Sequence, residues 1–261
     1  MTEYSPKVAL VTGAGRGIGE AVALELARQG IKVALVARSQ AEIDKVAAQI
    51  KELGGTSLGI SFDLSNLEEI EGLVSRVEAE LGPVDILINN AAIAGPFGPS
   101  WEIDPAEWTQ AVNVNLIAPF RLARAVLSSM LKNNWGRIIN ISSGAATFPM
   151  ARAGAYSTTK AGLDMISRQL GGEVADTGIS VISLYPGIVD TAMQTDIRSQ
   201  PTEKIGQELA TIFHNYHASG QLSTATPVGK IIAALAGEAG EKFRTKVISI
   251  SEPEVQALLK D

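Results

Sequence analysis

KVALVTGAGRGIG, residues 7–19, decides how this chain is read. Lys7–Thr12 is a short β-branched run of strand type, and glycines follow at 13, 15, 17 and 19. Glycine lets a backbone turn sharply and approach a ligand closely. A helix opening at Gly17 aims its unpaired N–H groups and positive dipole end at that turn, an arrangement that suits a diphosphate. The spacing is G-x-x-x-G-x-G, with Gly15 in addition. G-x-G-x-x-G is not satisfied, because Ile18 and Glu20 stand where a further glycine is needed. A plain tight turn is the competing reading, and only the surrounding pattern decides between them.

That pattern alternates strands and helices. Strands are predicted at 7–12, 31–37, 57–62, 84–89, 137–142, 179–185 and 246–250. Helices are predicted at 17–29, 40–53, 66–81, about 105–132, 155–176, about 203–217 and 226–236, with 188–222 otherwise irregular. The strands show little polar alternation, as expected when helices bury both faces of a parallel sheet. Repeated β-α units agree, since parallel strands need crossovers. No linker or repeat divides the chain. The prediction is an α/β fold: one doubly wound Rossmann-like domain over 1–261, with about seven strands. Ligands in such sheets bind beyond the carboxyl ends of the strands.

Composition narrows the function. Of 261 residues 46% are apolar, enough for one large core, and the net charge is -6, without the basic face of a nucleic-acid binder. There is no cysteine, so disulfides, iron–sulfur clusters and thiolate catalysis are excluded. Met1–Ser5 lacks the pattern of a signal peptide, and no apolar run in the sequence approaches the roughly 20 residues that span a bilayer. A cytoplasmic enzyme without membrane or nucleic-acid partners is expected.

The strand ends carry the candidate binding residues. After the second strand, an NAD site needs an acid to accept from the adenosine ribose, and this chain has Arg38 there. With Arg16 in the glycine loop, Arg38 suits a 2′-phosphate, so NADP(H) is preferred over NAD(H). Asp63 and Leu64 follow the third strand; the carboxylate could accept from the adenine amino group or cap the next helix. Asn90 and Ala91 follow the fourth, where small residues let backbone run beside a cofactor and Asn90 could tie strand ends together.

Tyr156 and Lys160 stand i, i+4 on the helix after the fifth strand, on one face. A phenol has a pKa of about 10. An ammonium at about 4 Å stabilises the phenolate by roughly 4 kcal/mol at an effective dielectric near 20, lowering that pKa by up to about three. Tyrosine then serves as a general acid or base. Ser143 lies at the end of the fifth strand, placed to hold a substrate oxygen; Ser142 is its rival, turned to the other face by strand alternation. Asn115 sits inside a helical pattern it does not favour, with Asn113 as competitor.

Together these residues resemble the classical short-chain dehydrogenase/reductases over essentially the whole chain. The match rests on Thr12-Gly13-(x)3-Gly17-Ile18-Gly19, Asn89-Asn90-Ala91, Asn115, Ser143, Tyr156-(x)3-Lys160 and Pro186-Gly187-(x)3-Thr191. The resemblance implies that Tyr156 protonates a carbonyl oxygen held by Ser143. Lys160 lowers the tyrosine pKa and binds the nicotinamide ribose, and Asn115 holds a water in a proton relay. Pro186, Gly187 and Val189 border the nicotinamide, with Thr191 near its carboxamide or the diphosphate. Residues 188–222 form the substrate lid. A homodimer or homotetramer is implied, although the chain end lacks the aspartate-plus-glycines ending of many tetrameric members. Pro186–Gln194 is also similar to the sepiapterin reductase and benzil reductase subgroup.

Phe97, Phe148, Met150, Tyr185, Met193 and Phe213 are the candidate substrate-pocket residues. They suit a hydrophobic or aromatic ketone, with lid packing against the core as the competing reading, and the subgroup similarity implies dicarbonyls as well. His214 and His217 have no carboxylate at a matching helical position, so no metal is expected. A second reading is 3-oxoacyl-[acyl-carrier-protein] reduction. Against it, the basic residues with which such reductases dock the acidic carrier correspond here to Asn134 and Gly172. A third is a non-catalytic NADP(H) sensor, which has no need of the tyrosine, lysine and serine together.

Overall fold

The β-branched runs of the sequence form seven strands: Val8–Thr12 (β1), Lys32–Ala37 (β2), Ser57–Ser61 (β3), Ile86–Asn89 (β4), Gly136–Ile141 (β5), Ile179–Tyr185 (β6) and Val247–Ser249 (β7). Every strand ends within two residues of its prediction. The computed structural model describes residues 6–259, so the reading of Met1–Ser5 lies outside the described residues. The strands make one parallel sheet in the order β3-β2-β1-β4-β5-β6-β7.

The helices are α1 (Gly17–Arg28), α2 (Gln40–Glu52), α3 (Ile70–Leu81), α4 (Pro105–Val112), α5 (Ala118–Asn133), α6 (Gly154–Glu173), α7 (Ala192–Arg198), α8 (Thr202–Ile205), α9 (Gln207–Ala218), α10 (Ala225–Leu235) and α11 (Pro253–Gln256). The two-residue period of each strand divides the apolar side chains between two cores. Ala9, Val11, Val33 and Leu35 pack with Val22, Leu26 and Ile232 from α1 and α10. Leu10, Ala34, Val36 and Leu87 pack with Leu73, Val77, Leu122 and Val126 from α3 and α5. Helices on both faces are therefore the reason the strands carry so few polar residues.

Four details depart from the sequence reading. The third helix opens with a 3-10 turn at Leu67–Glu69 before α3 begins. The helix expected over 105–132 is broken by a π-helical turn at Asn113–Ile117. Residues 188–222 hold three helices, α7, α8 and α9, where one was expected. The stretch Pro105–Asn133 is also long and apolar enough, by length and composition, to cross a membrane, contrary to expectation. It serves as a core helix here: Ala118, Leu122, Ala123, Val126 and Met130 are buried against the sheet.

Arg137, an ordinary polar strand residue in the sequence, is fully buried. Its guanidinium donates to the carbonyls of Gly136, Gly178 and Gly237, each at 2.9 Å, and lies over the Trp135 ring. The loops it ties together are at the end of the sheet opposite the strand ends that form the site.

Candidate active site

The strand order reverses between β1 and β4, and their carboxyl ends are stapled there. Thr12 Oγ1 accepts from the backbone N–H groups of Asn90 (3.0 Å) and Ala91 (3.1 Å). Asn90 Nδ2 donates back to the Thr12 carbonyl at 2.9 Å, the tie that the sequence suggested. Over this staple the glycine turn folds back. Gly13 and Gly17 have φ of +64° and +62°, which side chains disfavour. A Cβ on Gly19 would lie 2.2 Å from the Gly13 carbonyl oxygen, so the turn closes only around a glycine. Arg16 is the residue before α1 and makes no side-chain cap to it, so the first-turn N–H groups have no side-chain acceptor from Arg16.

A cleft of about 830 Å³ runs from this turn across the strand ends. Its walls near the glycine turn include Gly13, Gly15, Arg16, Gly17, Ile18, Arg38, Asp63 and Leu64. Asn90, Ala91, Pro186, Gly187, Val189 and Thr191 continue it. Ser143, Tyr156 and Lys160 line it, as do Phe97, Met150, Met193 and Phe213, which pack together, and the polar side chains of Glu107, Gln110, Gln194, Asp196, Gln200 and Lys204. The structure thus brings most of the sequence-predicted residues to one cavity. Gly19 supports the turn from beneath. Such a cradle, with close backbone approach and two arginines at one end, fits a nicotinamide dinucleotide.

Three predicted residues lie elsewhere. Phe148 follows the 3-10 turn Gly144–Ala146 and is 56% exposed, outside the cleft walls. Tyr185 ends β6 with its side chain toward α6, where its phenol donates to Asp164. It therefore lines a separate small cavity with Met165 and Arg168. Asn115 is buried in the π-helical turn, and its side chain is committed to Ile93: Oδ1 accepts from the backbone N–H and Nδ2 donates to the carbonyl, both at 2.9 Å. The side chain thus pins the loop after β4, with a further bond to Thr159 at 3.2 Å, and does not line the cleft.

Tyr156 stands in the first turn of α6 and Lys160 one turn on. The Ser143 hydroxyl accepts from Ala145 N–H (3.2 Å), and Ser143 lines the same cleft as Tyr156. Ser142 turns to the other side, buried, with Oγ 3.4 Å from the Lys160 carbonyl. Lys160 is 3% exposed; its Nζ donates to the Ile141 carbonyl at 2.6 Å and is 5.6 Å from the centre of the Tyr156 ring.

These positions change the electrostatic picture expected for the pair. Burial pushes the Tyr156 phenol above its ordinary pKa, partly offset by Ser143. Burial also pulls the Lys160 ammonium down to about 8, against the attraction of Asp164. The lysine is held to the Ile141 carbonyl, and with both groups buried desolvation prevails at each of them.

Two polar residues beside the site escaped the sequence reading. Asp164, one turn beyond Lys160, is buried and accepts from Ser183 Oγ at 2.6 Å as well as from Tyr185. Its i, i+4 spacing from Lys160 was the available signal. Glu42 lines the cleft beside the glycine turn and pairs with Arg16. Asp63, expected as a ligand or a helix cap, lines the cleft and accepts on Oδ1 from Ser65 N–H and Oγ, bonds that hold its carboxyl below its ordinary pKa. Among the described residues no group of three or more histidines, cysteines or carboxylates could hold a metal.

A doubly wound sheet with a glycine turn, a cleft at its switch point and a serine–tyrosine–lysine set defines a nicotinamide-dependent oxidoreductase acting on CH–OH and C=O groups. The sequence pattern of the family described as short chain dehydrogenase matches residues 7–202, and the chain belongs to that family. It is 35% identical to the 3-oxoacyl-[acyl-carrier-protein] reductase FabG of Pseudomonas aeruginosa over 89% of this chain and 90% of that protein. It is 37% identical to the ketoacyl reductase HetN of Nostoc sp., over 76% of this chain and 69% of that protein. Among solved structures, a variant of an actinorhodin polyketide ketoreductase with NADPH superposes with a TM-score of 0.86 and 31% identity, covering 96% of this chain and 97% of its own.

Proposed function

We propose that the chain is an NADPH-dependent ketoreductase for a small hydrophobic or aromatic ketone or diketone. The observation that carries the reading is the meeting of Ser143, Tyr156 and Lys160 in one cleft, part of whose wall is the apolar cluster of Phe97, Met150, Met193 and Phe213. When bound, the nicotinamide supplies the hydride. Ser143 holds the substrate oxygen against the Tyr156 phenol, which delivers the proton. Lys160 binds the nicotinamide ribose and stabilises the phenolate that remains. Asn115 acts by fixing the loop after β4 beside the cofactor. Arg16 and Arg38 favour NADPH over NADH by receiving the 2′-phosphate. Residues 188–222 act as the lid: Met193, Ile197 and Phe213 pack with Phe97 and Met150 and fold over the pocket.

Replacing Tyr156 by Phe tests this. Turnover of NADPH with a ketone panel should fall by about 10³-fold or more while NADPH binding persists; unchanged turnover would refute the assignment. The relatives named above favour a second reading, reduction of a 3-oxoacyl thioester. Asn134 and Gly172 give an acidic carrier no charge to meet, and -6 overall gives it no long-range attraction. Including an acyl-thioester in the panel separates the two. Assembly as a homodimer or homotetramer and a cytoplasmic location belong to the same proposal.

A further inference from the structure

Resting on the NADPH reading above, we infer that Glu42 sets the strength of the cofactor preference, as a resident anion that holds Arg16 and opposes the 2′-phosphate. Ser39-Gln40-Ala41-Glu42 has the pattern of a capping box, in which a glutamate returns to the backbone N–H of the capping serine. Only half of the box forms. Ser39 Oγ accepts from Glu42 N–H at 3.3 Å, but the carboxylate turns into the cleft, where its Oε1 lies 3.5 Å from Arg16 Nη1.

The carboxylate is held there by shape. A Cβ on Gly15 would be 2.8 Å from Glu42 Cβ and 3.1 Å from its Oε2, so the side chain packs directly on the glycine turn. At this end of the cleft two arginines, Arg16 and Arg38, face two carboxylates, Glu42 and Asp63. They are not equivalent. Asp63 Oδ1 is held by Ser65 N–H and Oγ, whereas the one side-chain partner of the Glu42 carboxylate among the described residues is the Arg16 guanidinium that the 2′-phosphate must recruit. A phosphate dianion entering between the arginines lies within a Debye length of Glu42, about 8 Å at physiological salt, and displaces it from Arg16. A ribose without phosphate makes neither demand.

The probes are adenosine 2′,5′-bisphosphate and adenosine 5′-monophosphate, which differ only in the 2′-phosphate and carry no nicotinamide. Their binding to wild type and to Glu42→Gln is measured by calorimetry. The amide keeps the side-chain shape and the backbone bond to Ser39, and thermal unfolding verifies the fold. The bisphosphate should bind the variant about three- to tenfold more tightly, the monophosphate within about twofold of wild type. The gain should shrink in about 0.5 M salt, and Glu42→Ala should move in the same direction.

Equal changes for both probes, no change, or weaker bisphosphate binding would overturn the role of Glu42. If wild type itself binds the two probes equally, the NADPH preference fails and this inference falls with it. If wild type prefers the bisphosphate and Glu42→Gln leaves that preference untouched, only the inference fails.

Discussion

Lys160→Met should make the protein more stable at neutral pH while disabling it. Lys160 is 3% exposed, and its folded-state pKa of about 8 lies well below the ordinary 10.5. Keeping the ammonium charged at pH 7 therefore costs roughly 3 kcal/mol, at 1.36 kcal/mol per pKa unit. Methionine has a similar volume and no charge, so it removes that cost with little repacking. It also removes the bond to the Ile141 carbonyl, a loss of about 1–2 kcal/mol. The net gain is about 1–2 kcal/mol at pH 7. The sign with pH follows from the depressed pKa: between about 8 and 10.5 the unfolded chain binds more protons than the folded one. Wild-type stability should then climb through that window relative to the variant, and the advantage of the methionine variant should close and reverse by about pH 10. Urea unfolding of both proteins at pH 7, 8, 9 and 10 measures the difference, in which other titrating groups largely cancel. A variant less stable than wild type at pH 7, by an amount independent of pH, would show that the buried ammonium carries no such cost.

Gly19→Ala should destabilise the fold by about 1–3 kcal/mol and weaken NADPH binding, because its Cβ meets the Gly13 carbonyl at 2.2 Å and must open the turn. Gly172→Ala is the control: nothing lies within 4 Å of that Cβ, and denaturant midpoints should show a gain of about 0.5 kcal/mol. Asp164→Asn should drop the Lys160 ammonium further below about 8, since the carboxylate is what raises it. The alkaline limb of the kcat/KM–pH profile should move to lower pH; a profile that stays in place would remove Asp164 from the electrostatics of the site.

What the sequence made legible were features with a local period or a fixed spacing. The strands of the sheet follow from β-branched runs, and the glycine turn from its place after β1. Tyr156 and Lys160 meet because α6 places i and i+4 on one face. Positions that depend on tertiary direction were harder. Tyr185 was expected in the pocket because β6 ends there, but alternation along the strand turns it toward Asp164. Phe148 was misjudged because the short turn after Ser143 carries it outward. Asn115 was recognised as foreign to a helix, yet a helical period gives no warning that the backbone answers with a π-helical turn. Arg137 reads as an ordinary polar strand residue, since its burial is set by carbonyls 41 and 100 residues away in sequence. Glu42 was hidden by its own pattern: a capping glutamate already has a local explanation.

The reversal of strand order between β1 and β4 has an evolutionary consequence. Everything proposed to receive the 2′-phosphate or to oppose it, at positions 16, 38 and 42, is built by the segments around the first two strands. Everything proposed to enclose the reacting carbonyl comes from β4 onward. The Thr12–Asn90 staple is the seam between these two workshops. Selection can therefore retool one without disturbing the other: new substrates through the helices after β6, and a new cofactor through a handful of side chains beside the glycine turn.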